Sequence, residues 1–301
     1  MAAERHRHYP LHALNQFLSM QALLKIIFIG LVVVLLSPVL SLAGEAQNAF
    51  NQGIKFYRAG KFKEAIGAYD RAIKAAPTAA EPYNNRGLAH YKLGESEAAV
   101  KDYDEAIKLN PKLTDAYYNR GNAYFNQKQY DRAIKDYDEV VKQNPKSSLV
   151  LRQRALAYAG SGQFEKAIED FNQAQKLNSK DPEIYYSRGL AYRRLGKLDQ
   201  AVHDYTEAIK LNPKNAESYN NRANAYSLLG KYDHALKDYD EALKLEPKNA
   251  RIYANRGAVK LRLGKSDEAK KDLQRATEID PTLKEKINAL LGADKASPSK
   301  D

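Results

Sequence analysis

The 301-residue chain contains no cysteine and no tryptophan. The first absence excludes disulfide staples, thiol nucleophiles and cysteine-built zinc or iron–sulfur sites. It does not exclude export, because a chain able to pack a large core needs no covalent bridge. Loops of the GxGxxG, GxxxxGK[ST] and GxSxG types are missing, as are HxxH and HExxH spacings. Of six histidines, His6, His8 and His12 lie in the polar lead-in, while His90, His203 and His234 are scattered along the remainder. No metal, cofactor or small-molecule substrate is therefore expected, and no catalytic chemistry. A wholly disordered chain is excluded too, since 44% of the residues are apolar.

The aromatic residues are 21 tyrosines and 8 phenylalanines, and 48 basic against 37 acidic groups give a formal charge of +11. Residues 26–44, IIFIGLVVVLLSPVLSLAG, carry no ionisable group and follow Lys25. A run of that kind is an export or membrane signal. Ser41 and Ala43 supply the small side chains that a signal peptidase site needs, with Pro38 positioned to break a helix before them. Cleavage after Ala43 is one reading. A retained anchor is the other, since about 20 apolar residues suffice to cross a bilayer. Translation from Met20 would give the segment a compact basic lead-in, and translation from Met1 a longer one. Either way the rest of the chain is expected outside the cytoplasm, in a periplasmic, luminal or secreted location, free or membrane-anchored through 26–44.

Beyond that segment the sequence repeats every 34 residues. Place eight of the repeat is small: Gly53, Gly87, Gly121, Ala155, Gly189, Ala223 and Gly257. Place 20 is alanine in every unit, from Ala65 to Ala269, and place 32 is proline in all units except at Ser179. Each unit holds two apolar patterns of helical spacing, divided at place 15 by glycine in every case but Lys128. The unit is thus a helix hairpin whose small residues let two backbones approach, with Tyr69, Tyr103, Tyr137, Phe171, Tyr205, Tyr239 and finally Leu273 filling the space beside them. One hairpin buries too little surface alone, so neighbours must stack.

These marker residues resemble the tetratricopeptide-repeat family over about four fifths of the chain. The resemblance implies an all-α, right-handed superhelical solenoid of helix-turn-helix hairpins. Apolar run, period and the polar end together divide the chain into a signal peptide or membrane anchor with polar lead-in (1–45), seven repeats (46–281), a cap helix (282–292) and a disordered tail (293–301); the resemblance concerns the repeats. It also implies a non-enzymatic scaffold whose first helices line a concave groove for a protein or extended peptide. Place six of that groove reads Asn51, Asn85, Asn119, Gln153, Ser187, Asn221 and Asn255, with Asn122 and Asn224 at place nine. Carboxamides both donate and accept, so such a ladder can hold a peptide backbone with little regard for its side chains. The run resembles the asparagine ladder of the enzymes that transfer N-acetylglucosamine to Ser and Thr, without their catalytic domain. Tyr57, Tyr91 and Phe125 at place twelve add aromatic surface, and Arg193, Arg194 and Arg262 make the later part basic. Gln47, Glu81 and Asp115 at place two oppose the family's two-carboxylate clamp in the first three units. The opposing reading is that the amides are solvated and the aromatics pack locally.

Place seven is arginine from Arg86 to Arg256 and place 23 is aspartate from Asp102 to Asp272; the first unit, with Gln52 and Ala68, lacks both. Donor and acceptor appear and vanish together, as expected of a bidentate pair locking the hairpin. A basic stripe for phosphate or nucleic acid is the competing account. Charges of both signs alternate within stretches such as YDEAIKLNP, which disfavours nucleic acid and leaves electrostatic attraction to an acidic protein or membrane as an alternative. A monomeric solenoid is expected, with self-association through repeat ends opposed by the cap helix.

Overall fold

The computed structural model describes Lys25 and residues 42–296, and the helix pattern follows the 34-residue period. Helix α1 runs through 42–58 and is followed by α2 (Phe62–Ala75), α3 (Ala80–Lys92), α4 (Ser96–Leu109) and α5 (Thr114–Asn126). Helices α6 (Tyr130–Gln143), α7 (Ser148–Gly160), α8 (Phe164–Leu177), α9 (Pro182–Arg194) and α10 (Leu198–Leu211) continue the series. The chain ends with α11 (Ala216–Leu228), α12 (Tyr232–Leu245), α13 (Ala250–Arg262), α14 (Ser266–Ile279), a 3-10 turn at Pro281–Leu283 and α15 (Lys284–Ala296). This is an all-α solenoid of stacked hairpins. It comprises two compact units, one reaching Asn119 and one from Arg120 onward. The export or anchor segment expected over 26–44 lies outside the described residues, as do residues 297–301. Among the described residues no helix is long and apolar enough to cross a membrane.

Each hairpin turns at place 15. Six glycines there have φ between 72° and 82°, and Lys128 follows the same path at 59°. In the first turn Lys61 N–H donates to Phe56 C=O at 2.9 Å, closing the helix end with a left-handed residue in between. Glycine enters this region without steric cost, whereas a side chain does not. Inside the hairpin, Ala65, Ala99, Ala133, Ala167, Ala201, Ala235 and Ala269 are fully buried, which brings the paired helices together. The bulky residue of place 24 then lies over place eight. A Cβ on Gly189 would stand 2.8 Å from the Tyr205 ring, and one on Gly87 2.7 Å from the Tyr103 ring.

Neighbouring hairpins are joined by the place-four tyrosines. Tyr83 and Tyr185 donate their hydroxyls to the carbonyls of Pro77 and Ser179, at 3.2 and 3.1 Å. The bond uses the carbonyl at place 32, which explains why serine can replace proline at 179. In the second unit Asp181, Asn215 and Asn249 cap α9, α11 and α13 with side-chain acceptors, satisfying N–H groups that a helix start leaves free.

Candidate functional site

The aligned arginines are taken up by the fold. Arg86 holds Asp102 through Nε and Nη2 at 2.8 and 2.6 Å. The same two-pronged contact joins Arg120 to Asp136, Arg154 to Asp170, Arg188 to Asp204, Arg222 to Asp238 and Arg256 to Asp272, all between 2.6 and 2.9 Å. Nη1 reaches back to place 25 of the preceding repeat, as in Arg86 to Asp70 and Arg154 to Asp138 at 2.6 and 2.8 Å. The place-four rings face the guanidinium at 5.5 to 5.7 Å in four repeats. Side-chain bonds to Asp102 and Asp70 hold the Arg86 guanidinium well above its usual range. These arginines therefore tie three helices together, and their planar forks are not available as a binding stripe.

The amide ladder has a double character. In the first unit Asn119 Nδ2 donates to Asn84 Oδ1 at 3.0 Å, and Asn84 in turn donates to Asn85 at 3.2 Å. In the second, Asn255 donates to Asn220 at 3.1 Å and Asn221 to the Tyr186 hydroxyl at 3.1 Å. One amide hydrogen of Asn119, Asn221 and Asn255 thus clips adjacent first helices together. A carboxamide has two N–H groups and two acceptor positions, so the clip leaves capacity for another partner. Asn122 and Asn224 do something the sequence pattern did not signal. Their carbonyls accept from the hydroxyls of Tyr137 and Tyr239, each at 2.7 Å. Where place nine is Leu88, the hydroxyl of Tyr103 is buried without a partner; where it is Leu190, the Tyr205 phenol has Arg193 as its polar neighbour. Where it is Leu156, the ring beneath is Phe171 and no hydroxyl needs one.

Two of the place-twelve aromatics close hairpins: Tyr57 meets Phe62 edge-on at 5.4 Å and Phe125 meets Tyr130 at 5.5 Å. Tyr91 and Gln153 are half-buried, and Ser187 is buried on α9. Within the second unit the structure does bring four expected residues together. Arg193, Asn221, Asn224 and Asn255 line one cavity of about 1580 Å³. Its apolar wall includes Leu228 and Ala258, and also Leu283, Ile287 and Leu290 from the C-terminal turn and α15. That last contribution was not foreseen, although the 283, 287, 290 spacing is a helical apolar stripe and could have revealed it. Helix α15 continues to Ala296, beyond the 292 boundary expected from sequence.

Arg193 differs from every place-seven arginine. Its Nε is buried and finds no hydrogen-bond partner. Burial, the larger effect, pushes the Tyr205 phenol up to about 12, and the charge of Arg193 and a side-chain hydrogen bond to it hold that phenol down. Among the described residues no group of three or more His, Cys, Asp or Glu could hold a metal ion. The cavity is a polar, amide-rich cleft with one apolar wall.

The fold is that of an interaction scaffold of the helical-hairpin class. Residues 78–279 match the family model described as the C-terminal domain of cilia and flagella-associated protein 70, and residues 53–94 match that of the TPR repeat. The chain belongs to that family and so to the tetratricopeptide-repeat proteins, which generically bind proteins and peptides. No curated protein matches the chain. Among solved structures, MamA of Desulfovibrio magneticus is 26% identical over 56% of this chain and 96% of its own, with a TM-score of 0.54. A tetratricopeptide-repeat protein from Parabacteroides merdae covers 84% of this chain and 99% of its own, at 22% identity and a TM-score of 0.62. YrrB, described as a TPR protein with an unusual peptide-binding site, is 24% identical over 60% of this chain and 93% of its own, with a TM-score of 0.54. The last two show the fold.

Proposed function

We propose that the chain is an exported scaffold that takes an extended peptide segment of a partner protein into the amide-lined cleft of its second unit. The observation that carries this reading is the convergence of Asn221, Asn224, Asn255 and Arg193 on one cavity. Asn221 and Asn255 keep N–H and C=O capacity beyond their clips, and a peptide in extended form offers both complements along its backbone. In this reading seven hairpins fill 46–281, α15 covers the last one and forms part of the cleft wall, and the chain acts as a monomer. Residues 26–44 direct it across a membrane, with the repeats outside the cytoplasm. Self-association through repeat ends would be favoured only if α15 left the last hairpin bare; Ile287, buried beside Leu273 and Ala276, argues against it.

A displayed library of random decapeptides, panned on the full chain, tests the binding site. Selected peptides should bind the wild type and lose at least tenfold in affinity on Asn221→Ala with Asn255→Ala. Equal binding by that variant, with its helical content and melting temperature retained, would remove the cleft from the function. The amino-terminal residue of the exported protein tests the targeting: Gly44 indicates cleavage, an intact 26–44 segment an anchor, and recovery only in the cytoplasm refutes export.

A further inference from the structure

Three helices of the second unit end on an exposed leucine. Leu177, Leu211 and Leu245 are the last residues of α8, α10 and α12, and they are 45%, 39% and 39% exposed. All three stand at place 30 of the repeat, where the chain turns into the next hairpin, and none lines the cleft. The fold does not require leucine there, since the same place is Gln143 at the end of α6 and Ala75 at the end of α2. Three residues after each leucine comes a lysine. Lys180, Lys214 and Lys248 are exposed and make no ion pair among the described residues. In two of the turns the spacing is fixed locally: Oδ1 of Asn178 and of Asn212 accepts from the backbone N–H of Lys180 and Lys214, at 3.2 and 3.3 Å. The carboxylates around these turns are largely engaged. Glu207 and Glu241 hold Lys210 and Lys244 at 2.5 and 2.6 Å, and Asp181 holds Arg152 at 3.2 Å. Glu217 and Glu246 accept from Tyr186 and Asn249, which leaves Glu183 exposed beside the lysines. Stacked hairpins repeat the same turn, so leucine and lysine form a row along one edge of the unit.

We propose that this edge docks on an anionic phospholipid surface, its leucines entering the acyl boundary and its lysines meeting the headgroups. The proposal concerns a face separate from the cleft and does not depend on the peptide reading. Charge and chemistry select the occupant. A lysine keeps its ammonium among phosphates while its stem lies along apolar surface, beside a leucine that has left water. A bilayer takes a row of separate aliphatic tips without offering a matching pocket. Nucleic acid attracts the lysines through its phosphates and gains nothing from the leucines. A second copy of the same edge would bring lysine to lysine.

The absence of cysteine makes a single introduced thiol the only labelling site. Leu211→Cys in the full chain, carrying an environment-sensitive fluorophore, is mixed at about 0.15 M salt with phosphatidylcholine vesicles, with or without about one quarter phosphatidylglycerol. Leu228→Cys is the control for chains held by residues 26–44, because this leucine is 60% exposed at the other end of α11. The Leu211 label should shift to the blue and be quenched by nitroxide lipids on the anionic vesicles only, while the Leu228 label stays in water. Lys180→Gln with Lys214→Gln should raise the lipid concentration for half the signal about tenfold or more, as should Leu177→Gln with Leu245→Gln, with melting temperatures retained. An unshifted Leu211 label in the presence of anionic vesicles overturns the proposal, and so does an equal shift on neutral ones. A response that either double variant leaves in place overturns it too. If polyglutamate or a single-stranded oligonucleotide shifts the label as far as the vesicles do, the edge is a site for an acidic protein or for nucleic acid, and the lipid assignment fails.

Discussion

Helix α9 carries two arginines five residues apart whose circumstances are opposite. Arg188 is buried, grips Asp204 with two bonds at 2.7 and 2.8 Å, and reaches back to Asn172 at 2.6 Å and Gln175 at 2.5 Å. Arg193, one and a half turns further on, makes no ion pair among the described residues and has the Tyr205 phenol as its neighbour. Composition and charge do not distinguish them. What differs is whether the hairpin that folds around the guanidinium also provides its acceptor. The tyrosines of place 24 repeat the lesson: Tyr137 and Tyr239 have an asparagine carbonyl, whereas Tyr103 and Tyr205 have leucine. Groups with internal partners hold the fold, and groups without them are where an external partner adds most.

The contrast is broken most severely at Arg188. Arg188→Ala leaves Asp204, which is 1% exposed, as a buried charge without its counter-ion, and should cost about 3–5 kcal/mol in urea unfolding. Asp204→Ala should cost a similar amount, and the double variant less than their sum, because one interaction is lost in both. Alkaline titration acts on the buried phenols. Burial raises Tyr69 and Tyr205 to about 12, and lifts Tyr103 and Tyr239 as well. Free tyrosine ionises near 10. The folded pKa is the higher one, so this stabilisation is complete below about pH 10 and disappears as the pH rises through 12. Thermal melts across pH 8 to 12 should therefore show a flat region and then a fall.

Smaller effects sharpen the tyrosine comparison. Asn224→Leu removes the acceptor of the Tyr239 hydroxyl and should destabilise by about 1–3 kcal/mol. Tyr239→Phe should cost about 1 kcal/mol, whereas Tyr103→Phe, which deletes a hydroxyl already lacking a partner, should be neutral or slightly stabilising. Measured in the same urea series, equal losses for the two phenylalanine variants would contradict the assignment of the place-nine residues. Arg193→Gln should cost less than the Arg188 variant, about 1 kcal/mol or below, since no ion pair is lost and an amide can still reach the Tyr205 hydroxyl.

Much of the hairpin architecture was legible because each repeat states the same constraint again. Alanine at place 20, glycine at place 15 and the shared absence of Gln52's arginine and Ala68's aspartate each have one physical meaning, and the bidentate pairs fulfil it. The site was less legible. Asn122 looks like Asn119 in a sequence, yet one serves a tyrosine in its own hairpin and the other a neighbouring asparagine. Tyr57 and Phe125 have the composition of a binding surface and the positions of hinge packing. The cleft wall from α15 was hidden because that segment stands outside the repeat and has no aligned counterpart. A period reveals what all units share, and the cleft is built from what a few do not.

A crystal structure of the full chain with its tightest selected peptide tests the division between fold-holding and ligand-holding groups most directly. The peptide should lie in the cleft against Asn221 and Asn255, with the Arg188–Asp204 pair undisturbed. A peptide seated away from Asn221 and Asn255 would contradict it.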